Sequence, residues 1–362
     1  MPSRAEGRAA GVTIADVAAH AGVSMSTVSY ALSGKRRISG PTRERVMRAV
    51  ADLGYHPHAG ARSLASSQSN VIAVMVPLRT GMYVPVIMEI LMAMTTAART
   101  HGKDILLLTG DEGTDGVRRV AASGLADAAV LMDVELHDER IPVLREMSMP
   151  AVTVGLPSEP GDLASIDLDF EAAGGVCADH LADLGHDDVA LIGLSAGVYH
   201  RRTGFAARTV SGFMNRARER GLRATHTPCD GTFDSAAHAL TRILDERPAT
   251  SGIVVQNEEA VGPLMNLLRQ FGRGVPQDVS VVAICPDQVA LQTSPRLTSV
   301  PIPAEEMGRG AIRLAMARLS GRPMAGATLI PPRLVVRGSS GARFTGGPAV
   351  GGALGGPSDL PV

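Results

Sequence analysis

The 362-residue chain has no tryptophan, only four tyrosines and six phenylalanines, and three cysteines, Cys177, Cys229 and Cys285, set far apart. An odd, scattered set of thiols forms neither a disulfide framework nor a CxxC metal or redox pair, which points to a reducing cytoplasm. So little aromatic surface argues against a site that grips sugars between flat rings. Every apolar run is broken by Pro, Gly or charge before the ~18 residues that a membrane-spanning helix needs, and the first residues carry arginines without a secretory apolar core. No membrane partner is expected. There is no Walker A loop, no HExxH and no cysteine–histidine cluster. No cofactor, no metal and no enzymatic activity are therefore expected.

What is present is enough for a large core. Hydrophobic residues make up 45% of the chain and charged ones 20%, and the length suits two or three folded units. The net charge of −1 hides an asymmetry. Residues 1–68 hold nine Lys/Arg against four acids, so a head with five surplus positive charges precedes an acidic body. That is the pattern of a nucleic-acid reader joined to something else.

Beyond residue 70, short aliphatic runs at 71–77, 104–109, 127–133, 151–155, 188–193, 251–256 and 279–284 alternate with helix-patterned stretches such as 85–100, 170–184, 201–220 and 258–271. This alternation predicts parallel sheets covered by helices, and the length fits two of them. The expected organisation is an unstructured stretch at 1–11, a helical head at 12–57, a Ser-rich hinge and linker at 58–70, an α/β body at 71–337 and a disordered Gly/Pro-rich tail at 338–362.

Within the head, Thr13 followed by Asp16 predicts a capped first helix, Gly22 a tight turn, and Ser24 the cap of a second helix. Val28 and Ala31 would face the first helix while Met25, Ser26 and Ser29 point away. A third helix after a Ser39 cap supplies Val46, Val50 and Leu53 to a miniature core. Small Ala18, flexible Gly22 and apolar Val28 have the spacing of a helix-turn-helix.

The run VTIADVAAHAGVSMSTVSYALSGKRRISGPTRERVMRAVADLGYHPH, followed by Ala61-Arg62-Ser63-Leu64-Ala65, resembles the head and hinge of the lactose-repressor (LacI/GalR) family of transcriptional regulators. The resemblance implies a homodimer on a pseudo-palindromic double-stranded operator, controlled by a small-molecule effector, a sugar or other metabolite, in the cytoplasm at the nucleoid. The second helix would enter the major groove with Met25 and Ser26 near base edges and Thr27, Ser29 and Tyr30 beside them. Thr13, Ser24, Ser33 and Tyr55 would position phosphates, and Lys35, Arg36 and Arg37 would add salt-sensitive attraction. Tyr30 stands where many relatives carry arginine. At the hinge, His58, Ala61, Arg62 and Leu64 would meet the minor groove, with Leu64 as the wedge between base steps.

Residues 71–337 resemble the two-lobed periplasmic-binding-protein-like core of the same family, through stretches such as His180-Leu181…Leu184-Gly185-His186 and Val275-Pro276-x-Asp278-Val279-Ser280. His186 is expected to fix a loop. An effector would sit where loops follow the strands, at 78–85, Asp133, Gly155, 195–201, 257–258 and 285–287. Asn257 is the first polar candidate, then Arg208 and Glu258, with Tyr83, Tyr199 and Asp287 added from the same loops. Gly193-Leu194-Ser195-Ala196-Gly197 spells the G-x-S-x-G of a hydrolase. No histidine follows His238, however, and no helix is expected at Ala196, so a small-molecule-binding protein, or a hydrolase using Ser195, with an incidental basic head is kept only as the alternative function.

Overall fold

A computed structural model describes residues 12–33, 36–55, 68–79, 81–322 and 326–343. The predicted DNA contacts Lys35, His58, Ala61, Arg62 and Leu64, and the side chain of Ser33, lie outside the described residues.

Three helices make the head: α1 (Ile14–Ala21), α2 (Met25–Ser33) and α3 (Gly40–Asp52). α1 starts where the Thr13 N–H donates to the Asp16 carboxylate at 2.8 Å and the Asp16 N–H donates back to Thr13 Oγ1 at 3.4 Å, the reciprocal capping expected from the sequence. It stops at Gly22, whose φ of +64° lies in the left-handed region that glycine enters without a Cβ clash. Val17, Ala18, Val28, Ala31, Val46 and Ala49 are buried together, and the Tyr55 ring seals the cluster. Ser39 holds the cap position of α3, but its hydroxyl turns to Thr42 Oγ1 at 2.7 Å and caps no backbone N–H.

The body is two parallel sheets. In the first, β1 (Val71–Met75), β2 (Asp104–Leu108), β3 (Ala128–Leu131), β4 (Ala151–Val154), β5 (Ala164–Leu168) and β11 (Gly326–Ile330) lie in the order β11-β5-β4-β3-β1-β2. In the second, β6 (Asp188–Ile192), β7 (Arg223–Thr227), β8 (Gly252–Val255), β9 (Ser280–Ile284) and β10 (Thr298–Val300) lie in the order β10-β9-β8-β6-β7. Every pairing between these strands is parallel, and the inner strands are buried and largely apolar because helices cover both faces. The chain changes lobe three times: after β5, after β10 and after β11, whose continuation returns to bridge Val335 to Ser299 beside β10. The head joins the first lobe through β1.

Glycine decides the closest helix contact of the second lobe. Helices Phe170–Asp183 and Gly204–Glu219 pack backbone to backbone at Gly174 and Gly212. A Cβ on Gly174 would overlap the Thr209 carbonyl oxygen, and one on Gly212 the Glu171 carbonyl oxygen.

The disordered tail expected from residue 338 does not begin there. Ser339 is fully buried, and its hydroxyl donates to the Val281 carbonyl at 2.6 Å while accepting the Thr298 N–H at 2.8 Å. His186 fixes the same region, as expected of it: its ring joins Ser251 Oγ at 2.8 Å and Ser280 Oγ at 2.9 Å, with the Gly341 carbonyl at 3.2 Å. Small Ser and Gly residues let this stretch lie flat against the sheet, and the serines satisfy the polar groups it covers. Composition alone reads such a segment as disordered.

Candidate functional site

The head presents one polar face. Met25 is 55% exposed and Ser26 is exposed with it, whereas Val28 and Ala31 point into the core, so the periodicity of α2 separates an exposed face from a packed one as the sequence predicts. Ser29 is half-buried between them. At the amino end of α2, Ser24 Oγ lies 2.8 Å from both Ser26 Oγ and Thr27 Oγ1 and accepts the Thr27 N–H at 3.2 Å. This hydroxyl cluster at a helix N-terminus has the chemistry of a phosphate contact. Thr13 is exposed at the start of α1. Tyr30 is half-exposed, and the Arg36 guanidinium sits 5.9 Å from its ring centroid, so the tyrosine props a cation toward solvent; Arg37 is exposed beside it. Tyr55 is the exception. It is 4% exposed and its ring packs in the head core, a packing role beside the phosphate contact expected of it. An aromatic after a turn glycine gives no sequence signal that separates the two.

In the body, the loops after β1, β3, β4, β6 and β8 converge on a cleft between the lobes, with about 970 Å³ of space free of protein atoms, part of it open to solvent. Its walls are largely aliphatic and methionine side chains, with the rings of Tyr83, Phe170 and Phe205. Five polar side chains also face it: Asp133, Asp167, Arg201, Gln256 and Glu258.

These polar groups differ in what they have left to offer. Asp133 is engaged by Arg79, which also holds Asp111 through Nε at 2.8 Å and Nη2 at 2.7 Å. Asp167 is buried, and desolvation raises its carboxyl to about 7 against the pull of the Arg208 charge. Desolvation likewise raises Glu258 to about 8. Arg201 has its Nε and Nη2 buried without a hydrogen-bond partner among the described residues; Glu135 Oε1, 4.0 Å from Nε, is beyond hydrogen-bond reach. Gln256 is 3% exposed, and its Nε2 is likewise unpartnered. The orientation of that amide follows from Tyr199. The Tyr199 hydroxyl accepts the Leu194 N–H at 3.0 Å, so its own proton goes to Gln256 Oε1 at 3.2 Å and the amide nitrogen is left over.

Of the six predicted effector residues, the structure brings Tyr83 and Glu258 to the cleft. The other four have different duties. Tyr199 stands behind Gln256, its ring edge-on to His226 with centroids 4.8 Å apart. Arg208 crosses to the first lobe and donates to the carbonyls of Leu156 and Pro157. Asn257 caps helix Glu258–Gln270, accepting the Glu259 N–H at 3.0 Å and donating to the Cys229 carbonyl at 2.8 Å. Asp287 pairs with Arg337 at 2.6 Å. Cap and strut positions use up polar groups before a ligand can. Sequence reasoning missed Gln256 and Asp167, each a polar residue at or near the end of a buried strand run, where the chain turns toward the cleft.

The G-x-S-x-G segment does enter a helix, Ala196–His200, contrary to expectation. Yet Ser195 makes no side-chain hydrogen bond to a histidine among the described residues, and His226 Nε2 is itself unpartnered. An activated serine is hydrogen-bonded to its base, and no such bond is made here among the described residues.

A helix-turn-helix head followed by two parallel-sheet lobes around a cleft with unpaired donors defines a ligand-responsive transcriptional regulator. Residues 13–58 match the bacterial regulatory proteins of the lacI family, and residues 178–340 match the periplasmic binding protein-like domain. The regulator CelR of Thermobifida fusca is 30% identical over 335 residues, covering 90% of this chain and 95% of that protein. Catabolite control protein A of Priestia megaterium is 27% identical over 311 residues, covering 84% of this chain and 91% of that protein. Among solved structures, the lac repressor dimer bound to operator and an anti-inducer superposes with a TM-score of 0.79 at 23% identity, over 92% of this chain and all of that one. The CelR–cellobiose complex gives 0.65 at 26%, over 91% of this chain and all of that one. The chain belongs to the LacI family of bacterial regulatory proteins. No helix among the described residues is long and apolar enough to cross a membrane.

Proposed function

We propose that this regulator represses transcription in the cytoplasm, at the nucleoid, as a homodimer whose paired heads grip a pseudo-palindromic operator, and that a metabolite in the interlobe cleft sets the grip. The observation that carries the reading is the pairing, in one chain, of a head whose second helix exposes Met25 and Ser26 with a cleft that holds unpartnered buried donors. Met25 makes apolar contact with base edges, and Ser24 with its neighbouring hydroxyls, Thr13, Arg36 and Arg37 contact phosphates. Lys35, Ser33 and the hinge residues His58, Ala61, Arg62 and Leu64 extend the interface, with Leu64 wedging the minor groove. Tyr83 and Glu258 line the effector site. The protein performs no catalysis of its own.

The test is a gel-shift screen of genomic fragments, with and without added metabolites. A discrete shift that salt weakens, that Leu64→Ala weakens further and that one metabolite class alters is the expected result. Equal binding to genomic fragments and random competitor under every condition would sink it.

A further inference from the structure

We propose that the effector is a small carboxylic acid with an aromatic or aliphatic body, its carboxylate held by Arg201 and Gln256. This rests on the reading of the cleft as the effector site and adds the chemical class.

Three observations converge. First, the unpartnered polar atoms that line the cleft are donors: Arg201 Nε and Nη2 and Gln256 Nε2. A buried donor without an acceptor costs free energy, and a ligand supplying acceptors recovers it. Nε and one Nη of a guanidinium lie on the same edge, and two such N–H groups match the two oxygens of one carboxylate. Second, the acids in the cleft oppose an anion only weakly near neutrality. Asp133 is paired with Arg79, which it shares with Asp111; burial keeps the proton on Glu258, and Asp167, raised to about 7, is about half protonated. Third, the remaining wall offers Phe170, Phe205, Met82, Met132 and Met307, an apolar lining for a hydrocarbon or aryl body. A polyhydroxylated ring would leave most of its hydroxyls against that wall without partners.

Isothermal titration of the full-length chain with phenylacetate, hexanoate, phenethylamine and cellobiose tests this. Phenylacetate or hexanoate is expected to bind about ten-fold or more tighter than the amine or the disaccharide. Arg201→Gln is expected to weaken acid binding by about ten-fold or more, and Gln256→Leu by a smaller factor. The melting temperature of unliganded Arg201→Gln should change little, because the buried donors it removes have no hydrogen-bond partner among the described residues and the ion pair with Glu135, at 4.0 Å, is long; this separates lost binding from lost folding. Tighter binding of cellobiose or phenethylamine, or acid binding that Arg201→Gln leaves unchanged, overturns the carboxylate assignment while leaving the cleft as the effector site. Heat from none of the four overturns both.

Discussion

Tyr199 gives its hydroxyl proton to Gln256 Oε1 at 3.2 Å, and that single bond decides which end of the Gln256 amide faces the cleft. Tyr199 never touches the cleft itself. Tyr199→Phe deletes the bond and also leaves the Leu194 N–H without an acceptor. The expected outcome is a loss of about 1–2 kcal/mol in urea unfolding and a several-fold weaker effector, because the freed amide can turn its oxygen toward the ligand. Titration calorimetry alongside denaturation separates the two effects.

Stability should fall as pH rises through the range that Asp167 controls. The unfolded chain ionises this carboxyl near its usual value, about 3.9, whereas the folded chain keeps the proton up to about 7. Below both values the two states are equally protonated. Between them only the native state holds the proton, so unfolding releases it and native stability declines with rising pH, then levels off. Glu258 adds the same trend up to about 8. Asp167→Asn should flatten the lower part of the profile and exceed the wild type in stability at pH 8 by about 1–3 kcal/mol. Chemical denaturation at pH 4.5 and 8 measures it; a profile as steep as the wild type's would refute the assignment.

The helix contact at Gly174 permits no side chain. Gly174→Ala should destabilise the chain by about 3 kcal/mol or more, since the obstacle is the backbone of the facing helix and cannot swing aside. Solubility and the urea midpoint report it. Gly262→Ala is the control: its Cβ meets nothing within 4 Å, and the substitution should be neutral or mildly stabilising.

On the head, Met25→Ala should leave helix content and melting unchanged, since the side chain is mostly exposed, and should weaken operator binding by about three- to thirty-fold. Val28→Asp should abolish binding by a different route, unfolding the head around a buried charge. Circular dichroism distinguishes the two failures.

The sequence made the architecture readable wherever apolar runs were long and bounded. The strands near 71, 104, 127, 151, 188, 251 and 279 all lie within or beside such runs. Those not anticipated are β5, an inner strand whose apolar run is interrupted by Ser165 and Asp167; β7, the polar edge strand Arg-Ala-Thr-His-Thr; β10, an edge strand of only three residues; and the exposed edge strand β11. Edge and very short strands lack the apolar signature because one side of them meets water or the chain end. The head was more legible than the cleft for a related reason. Capping and turn chemistry are local, so Thr13, Asp16, Gly22 and Val28 announce themselves by spacing. Whether Asn257 or Gln256 meets a ligand depends on which one a carbonyl elsewhere, that of Cys229, has already claimed.

Three separate passages of the backbone join the lobes, and the last of them ends under Ser339 on the second lobe, whereas the head is attached to the first. The two ends of the body therefore ride on opposite halves of one triple-stranded joint, which restricts their relative movement to something close to a single rotation. A pair of dyes, one near Gln68 and one near Arg343, would turn that rotation into a distance, and could time effector arrival without any operator in the tube.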